Sequence, residues 1–252
     1  MHLTADAASR SRGRGGRARF TSGRKAEQFY AEKLRGIARH IGAIIRAFPV
    51  GSPESVDAIR EAMSRYAEVL KPWARATGQR MLEDVARRDK SDWAALAKEM
   101  SRALQREILD TPTGELFQQI LDRQVTLISS LPLEAARRVH QLTLRGLIDG
   151  SRAGEVARDI LRTSDVTVAR ANLIARTETA RTASSLTQAR AAHVGSTAYI
   201  WRTAGDGSVR PSHKAMNGQV VLWAAAPTLD GMTGHAGEFP NCRCYPEVII
   251  PD

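Results

Sequence analysis

Two blocks of this 252-residue sequence bring thiol, imidazole, carboxylate and guanidinium side chains close together along the chain. Trp201 to Asp252 gathers Asp206, Arg210, His213, His235, Asn241, Cys242 and Cys244 into a loop-rich stretch, and Ala175-Arg176-Thr177-Glu178-Thr179-Ala180-Arg181 precedes it. Glu178 with His213 and Asp206 would make a conceivable hydrolytic set, since carboxylates and an imidazole can pass protons at a reacting centre. The sequence carries no Gly-x-Ser-x-Gly elbow, no His-Glu-x-x-His and no phosphate-cradling glycine loop. No catalytic residue is therefore expected, and Glu178, His213 and Asp206 stand as the enzymatic alternative.

Cys242 and Cys244 are too few and too close for a secreted disulfide framework, which points to a reducing compartment at synthesis. Two thiolates could ligate zinc, with His213 or His235 completing a tetrahedral site. Zinc ribbons and fingers usually space their cysteines more widely, and alternate residues of an extended strand share one face with little slack to converge. The expectation is no cofactor and two buried free thiols, with zinc on His213, His235, Cys242 and Cys244 as the alternative.

These loops need a support, and the periodicity supplies one. A long helix is expected from Val166 to Ala192, capped by Ser164 or Asp165 and stopped at Gly195. On it Ala171, Ile174, Ala175, Glu178, Thr182, Ser185 and Leu186 fall within about 120° of arc, with Glu178 near the centre of the apolar face. A carboxylate buried there is costly unless paired. The expected partners are in the C-terminal loops, giving a structural latch of Arg176, Glu178, Asp206, Arg210, His213, Asn241, Cys242 and Cys244. Beyond Gly195 the pattern turns strand-like at 197–203, 219–223 and 245–250.

Towards the N-terminus the stripes are helical. Tyr30, Leu34, Ile37, Ile41, Ile44 and Phe48 recur at helical spacing, as do Val56, Ile59, Met63, Tyr66 and Leu70. Pro72 is read as closing that second helix. A third is expected over 73–87, and a fourth through Trp93, Leu96, Met100, Leu104 and Ile108, broken at Thr111-Pro112-Thr113-Gly114. A further helix over 115–131 ends at Pro132, which opens the next. Only 5% of residues are aromatic. The fold class is thus predominantly helical α+β: an N-terminal helical bundle or set of hairpins, then a domain of a long helix and a small antiparallel sheet.

Formal net charge is +10, and the excess is concentrated at one end. Residues 1–25 carry Arg10, Arg12, Arg14, Arg17, Arg19, Arg24 and Lys25 against Asp6 alone. Interleaved with Gly and Ser, residues 1–24 are expected to be disordered, and these basic residues to contact DNA phosphates non-specifically, since no aromatic precedes Phe20. No run of about 18 apolar residues occurs, so neither a membrane span nor a secretory signal is expected. The expected organisation is a 1–24 tail, a 25–120 helical docking region and a 121–252 domain.

From Asp122 to Pro251, about half the chain, the order of features resembles the phage Mu F-like minor head proteins. Leu131-Pro132 precedes a helix, Gly150 to Gly154 forms a break, and the Ala-Arg-Thr-Glu-Thr-Ala helix follows. Trp201 then sits in a strand ahead of Asp206, Val209-Arg210, His213, Asn217-Gly218 and Pro240-Asn241-Cys242-Arg243-Cys244. Many members look as if they carry a further cysteine pair that would complete a metal site, where this chain has Val209-Arg210-Pro211-Ser212-His213. The resemblance implies a minor capsid protein of a tailed phage or prophage-derived particle, assembled in the bacterial host cytoplasm and residing in the virion. Its implied partners are the portal protein, a coat or scaffolding protein, and packaged double-stranded DNA. The alternative is a hydrolase or effector delivered with the DNA.

Overall fold

The computed structural model describes residues 23–50, 52–97 and 113–251. Arg10 to Arg19, the helix expected through Met100, Leu104 and Ile108, and the Thr111-Pro112 break lie outside them. Among the described residues α1 (Arg24–Arg46), α2 (Glu54–Ala97), α3 (Gly114–Ile148), α4 (Ala153–Leu161) and α5 (Thr163–His193) precede a small sheet region. None of these helices is long and apolar enough to cross a membrane. The chain is predominantly helical α+β. Arg24, expected to end the tail, and Lys25, expected to start the helical region, are exposed residues in the first turn of α1.

Neither proline breaks its helix where the sequence suggested. α2 runs through Pro72 and α3 through Pro132, each as one element. The buried stripe explains this: Met63, Ala67, Leu70, Ala74, Met81, Val85 and Trp93 stay in phase across Pro72. Ile128, Leu131, Ala135 and Val139 do the same across Pro132. A proline inside a helix costs about 3 kcal/mol, while each buried large aliphatic side chain contributes about 1.5–3 kcal/mol, so a continuous stripe outweighs one lost backbone bond. α5 also begins earlier than expected. It starts at Thr163, directly after α4, with Arg162 at its N-cap position and no side-chain cap from Ser164 or Asp165.

α5 is the central element. Its buried residues include Ala171, Ile174 and Ala175 but also Thr177, Thr179, Ala180, Ser184 and Thr187, so the helix is covered on more than one side. α1, α2 and α3 pack against it, and β5 (Tyr245–Val248) lies against it as well. One hydrophobic core runs from Tyr30 and Ile41 of α1 through Met63 and Met81 of α2 and Ile128 of α3 to Ile174 and Leu186 of α5. The domain boundary expected after residue 120 falls inside α3, and this core takes residues from both sides of it.

A buried ion pair adds direction to that packing. Asp89 on α2 accepts from Arg190 Nε at 2.8 Å and from Thr187 Oγ1 at 3.1 Å, tying the far ends of α2 and α5. Burial pushes the Asp89 carboxyl above its usual value despite these donors.

Gly195, at φ 76°, ends α5 in the left-handed region that favours glycine. The chain then forms β1 (Ala198–Arg202), α6 (Pro211–Ala215), β2 (Val220–Leu222) and β5. β1 is the middle strand, antiparallel to both β2 and β5, with Ile200 opposite Val220 on one side and Glu247 on the other. A hairpin of β3 (Thr228–Leu229) and β4 (Met232–Thr233) was not foreseen. Its turn, Asp230-Gly231, has both residues at positive φ, as a tight two-residue hairpin requires.

Candidate functional site

Most of the residues expected to form one latch separate into three groups, and Asp206 lies apart from them with Arg243. Glu178, buried at 4% exposure, takes its partners from other helices and its own. Arg123 Nε lies 3.0 Å from Oε2, Arg181 Nη1 lies 2.8 Å from Oε1, and Gln124 Nε2 donates to Oε2 at 3.0 Å. Tyr30 of α1 then donates to Gln124 Oε1 at 2.7 Å, so the network crosses α1, α3 and α5. Arg210, His213 and the Asn241–Arg243 turn are not among these partners. The reason is geometric: α3 packs alongside α5 and presents Arg123 and Gln124 to the carboxylate, whereas Arg210 Nη2 is drawn to Pro240 O at 2.7 Å.

A second group does hold the loops to α5, through neighbours of Glu178. Arg176 Nη1 donates to Asn241 Oδ1 at 2.9 Å, and Asn241 N donates to Thr177 Oγ1 at 2.9 Å. Arg181 Nη2 donates to Glu238 O at 2.5 Å and Ser184 Oγ to Ala236 O at 2.7 Å. Asn241 sits at φ 58° and Gly237 at φ 94°. A Cβ at Gly237 would lie 3.3 Å from Ala180 O, so the loop lies almost against the helix backbone. Thr177, Arg181, Ser184, Arg123, Gln124 and Tyr30 were not anticipated. The Thr-Glu-Thr run, polar on a helix that must be buried, was the available signal for Thr177.

The third group is a cluster of His213, Cys242 and Cys244, all buried, whose ligating atoms lie within 4.8 Å of one another. His213 is brought there by α6, which Pro211 starts at its first turn, and the two cysteines by the turn ahead of β5. His213 Nδ1 is 3.4 Å from Cys242 Sγ and 3.5 Å from Cys244 Sγ. His235 does not join them. It packs on Tyr199 and Trp223, with Nδ1 3.2 Å from the Tyr199 hydroxyl. The ring of His213 meets Trp201 and Phe239 edge-on, so the cluster sits within the second, smaller core.

His213, Cys242 and Cys244 supply three of the four donors of a tetrahedral zinc site. Zn–S bonds of about 2.3 Å and Zn–N bonds of about 2.0 Å in a tetrahedron set N···S edges of roughly 3.5 Å, the separation seen here. The thiol chemistry agrees with this. The Cys244 thiol and the backbone N–H groups of Cys244 and Gly237 pull Cys242 well below the usual thiol range, to about 5. The same thiol contact and burial push Cys244 up. Such a pair shares one proton, which a metal would displace. The three residues also line a cavity of about 50 Å³ together with Ser208, Val209 and Arg210, room enough for one small ligand such as water.

Asp206 is exposed, pairing with Arg243 at 2.6 Å and accepting from Ser208 N at 3.0 Å. The Ser208 N–H is the main influence holding its carboxyl below the usual value, with Arg243 adding to it. Glu178, His213 and Asp206 thus have separate partners and are not assembled as a hydrolytic set.

Residues 137–246 match the family model described as Phage Mu protein F like protein. Over 120 residues, 48% of this chain, the sequence is 32% identical to an uncharacterized protein of Haemophilus influenzae strain Rd. The match spans 26% of that relative. No solved structure matches the chain.

Proposed function

From the match of residues 137–246 to the family model described as Phage Mu protein F like protein, we propose that the chain is a minor head protein of a tailed phage or prophage-derived particle. Its role is head assembly, without turnover. The observation that carries this reading is the commitment of the chemically capable side chains: Glu178 bridges α3 and α5, Asp206 pairs with Arg243, and His213 faces two thiols. Each serves to hold elements together. The helices before residue 137 supply the docking surface towards portal, coat or scaffolding protein, and Arg10 to Arg19 with Arg24 and Lys25 meet packaged double-stranded DNA through its phosphates. His213, Cys242 and Cys244 hold a zinc ion that cross-links α6 to the turn ahead of β5.

Mass analysis of purified particles tests the assembly role. The chain is expected in heads at a fixed copy number, and in procapsids that have not yet taken up DNA. Finding it only in lysate, with particles forming normally when its gene is deleted, would remove the proposal.

A further inference from the structure

A cavity of about 1150 Å³ lies between α1, α5 and the loops around β1 and β5. From α1 it is lined by Arg24, Gln28, Ala31 and Arg35, and from α5 by Asn172, Arg176, Ala180 and Ser184. Each set is one face of its helix, and at 1.5 Å per residue the rows run for about 16 and about 18 Å. The cavity is therefore a trough walled along its length by two helices.

Its charge is one-sided. Arg24, Arg35, Arg176 and Arg243 line it against a single carboxylate, Glu27. Arg176 pairs with Glu27 at 3.2 Å, and Arg243 with Asp206 at 2.6 Å. Arg24 and Arg35 have no carboxylate partner among the described residues, and Arg35 donates to the neutral Asn172 Oδ1 at 2.9 Å.

The lining decides the class of ligand. A small apolar molecule needs mostly apolar walls, and here Ala31, Ala180 and Pro246 are interrupted by arginine, amide and hydroxyl side chains. Peptide addition to β5 needs an unbroken edge, and Pro246 there has no N–H to give. Guanidinium forks repeated along an extended groove suit phosphates, which they can grip through two oxygens. Tyr245 offers the one aromatic ring in the lining, too little to read bases by stacking. We infer that this groove binds the phosphodiester backbone of nucleic acid without regard to sequence. The groove takes Arg24 from the basic stretch assigned above to packaged DNA but none of Arg10 to Arg19, and it stands whether or not the chain enters a particle.

The test uses the full chain, with labelled oligothymidine and a duplex of equal length, followed by fluorescence anisotropy across a salt series. Arg24→Gln with Arg35→Gln is compared with Arg60→Gln and Arg65→Gln, which remove the same charge from exposed α2. The groove pair is expected to weaken binding about tenfold and to lower the log–log salt slope by about 1.4 for a strand or about 1.8 for a duplex, with little change in the α2 pair. Whichever form suffers that loss is the ligand. Equal losses in both variants, or competition by polyglutamate as strong as by unlabelled nucleic acid, would overturn the inference. Arginine-selective phenylglyoxal labelling of the unmodified chain gives a readout independent of any variant. Bound nucleic acid is expected to protect Arg24 and Arg35 and to leave Arg60 and Arg65 reactive; absence of that protection overturns it too.

Discussion

Glu178 is held by three side chains that differ in what their loss does. Arg123 is half exposed and can turn to water, whereas Gln124 is fully buried and already accepts from Tyr30. Glu178→Gln keeps the shape and removes the charge, so a loss of about 1–3 kcal/mol is expected in urea denaturation. Glu178→Ala also leaves Gln124 short of an acceptor, and about 3–5 kcal/mol is expected. Wild-type stability in both variants would mean that the carboxylate has no structural part. At the thiol cluster, zinc measured by mass spectrometry is expected at about one per chain and to vanish in Cys242→Ser, Cys244→Ser or His213→Gln, with a fall in Tm. His235→Gln should keep the metal, because His235 faces Tyr199 instead. Retention of zinc in all three cluster variants would refute the site. Helical spacing alone located Glu178 on a buried face. It could not locate Arg123 and Gln124, which lie on another helix, because a helical wheel says which residues face inward and not what they meet there.

Between elements, Asp89 and Arg190 set how α2 meets α5. Because burial raises the Asp89 carboxyl, the folded chain holds that proton more tightly than the unfolded one. The stability this gives is therefore fullest below the ordinary carboxylate range and falls as pH rises through and above it. Asp89→Asn should flatten that part of the stability-against-pH curve, and an unchanged curve would show that the carboxyl is not raised. Replacing Asp89 alone by Leu leaves a buried guanidinium without its carboxylate, at about 3–5 kcal/mol, while Asp89→Leu with Arg190→Leu is expected to lie near wild type in a double-mutant cycle. The apolar stripes make α1 and α5 legible in the residue pattern alone, whereas α2 is divided there into three shorter helices. Pro72 and Pro132 misplaced the breaks, since a local rule about a missing N–H took precedence over stripes that ran on in phase. The β3–β4 hairpin was missed for the opposite reason: its strands are too short to show alternation, and only Asp230-Gly231 betrayed it.

At the scale of the whole molecule, nucleic-acid contact is proposed for the Arg10 to Arg19 stretch and for the groove between α1 and α5. Removing residues 1–22 is expected to lower the salt slope of duplex binding by about 4.5, near 0.9 for each of five arginines, and to leave the groove's share intact. An unchanged slope would show that the stretch does not touch DNA. The family match begins at residue 137, within α3, and so omits Tyr30, Asp89, Arg123 and Gln124. Those four residues are partners of Glu178 or Arg190, or one step removed, and α5 also buries Ile174 and Leu186 against helices outside the match. The recurring segment is therefore not autonomous. Cut free at its boundary, it would carry an apolar flank and a carboxylate stripped of two of its three donors, so any chain that borrows this module must bring its own helices to cover them.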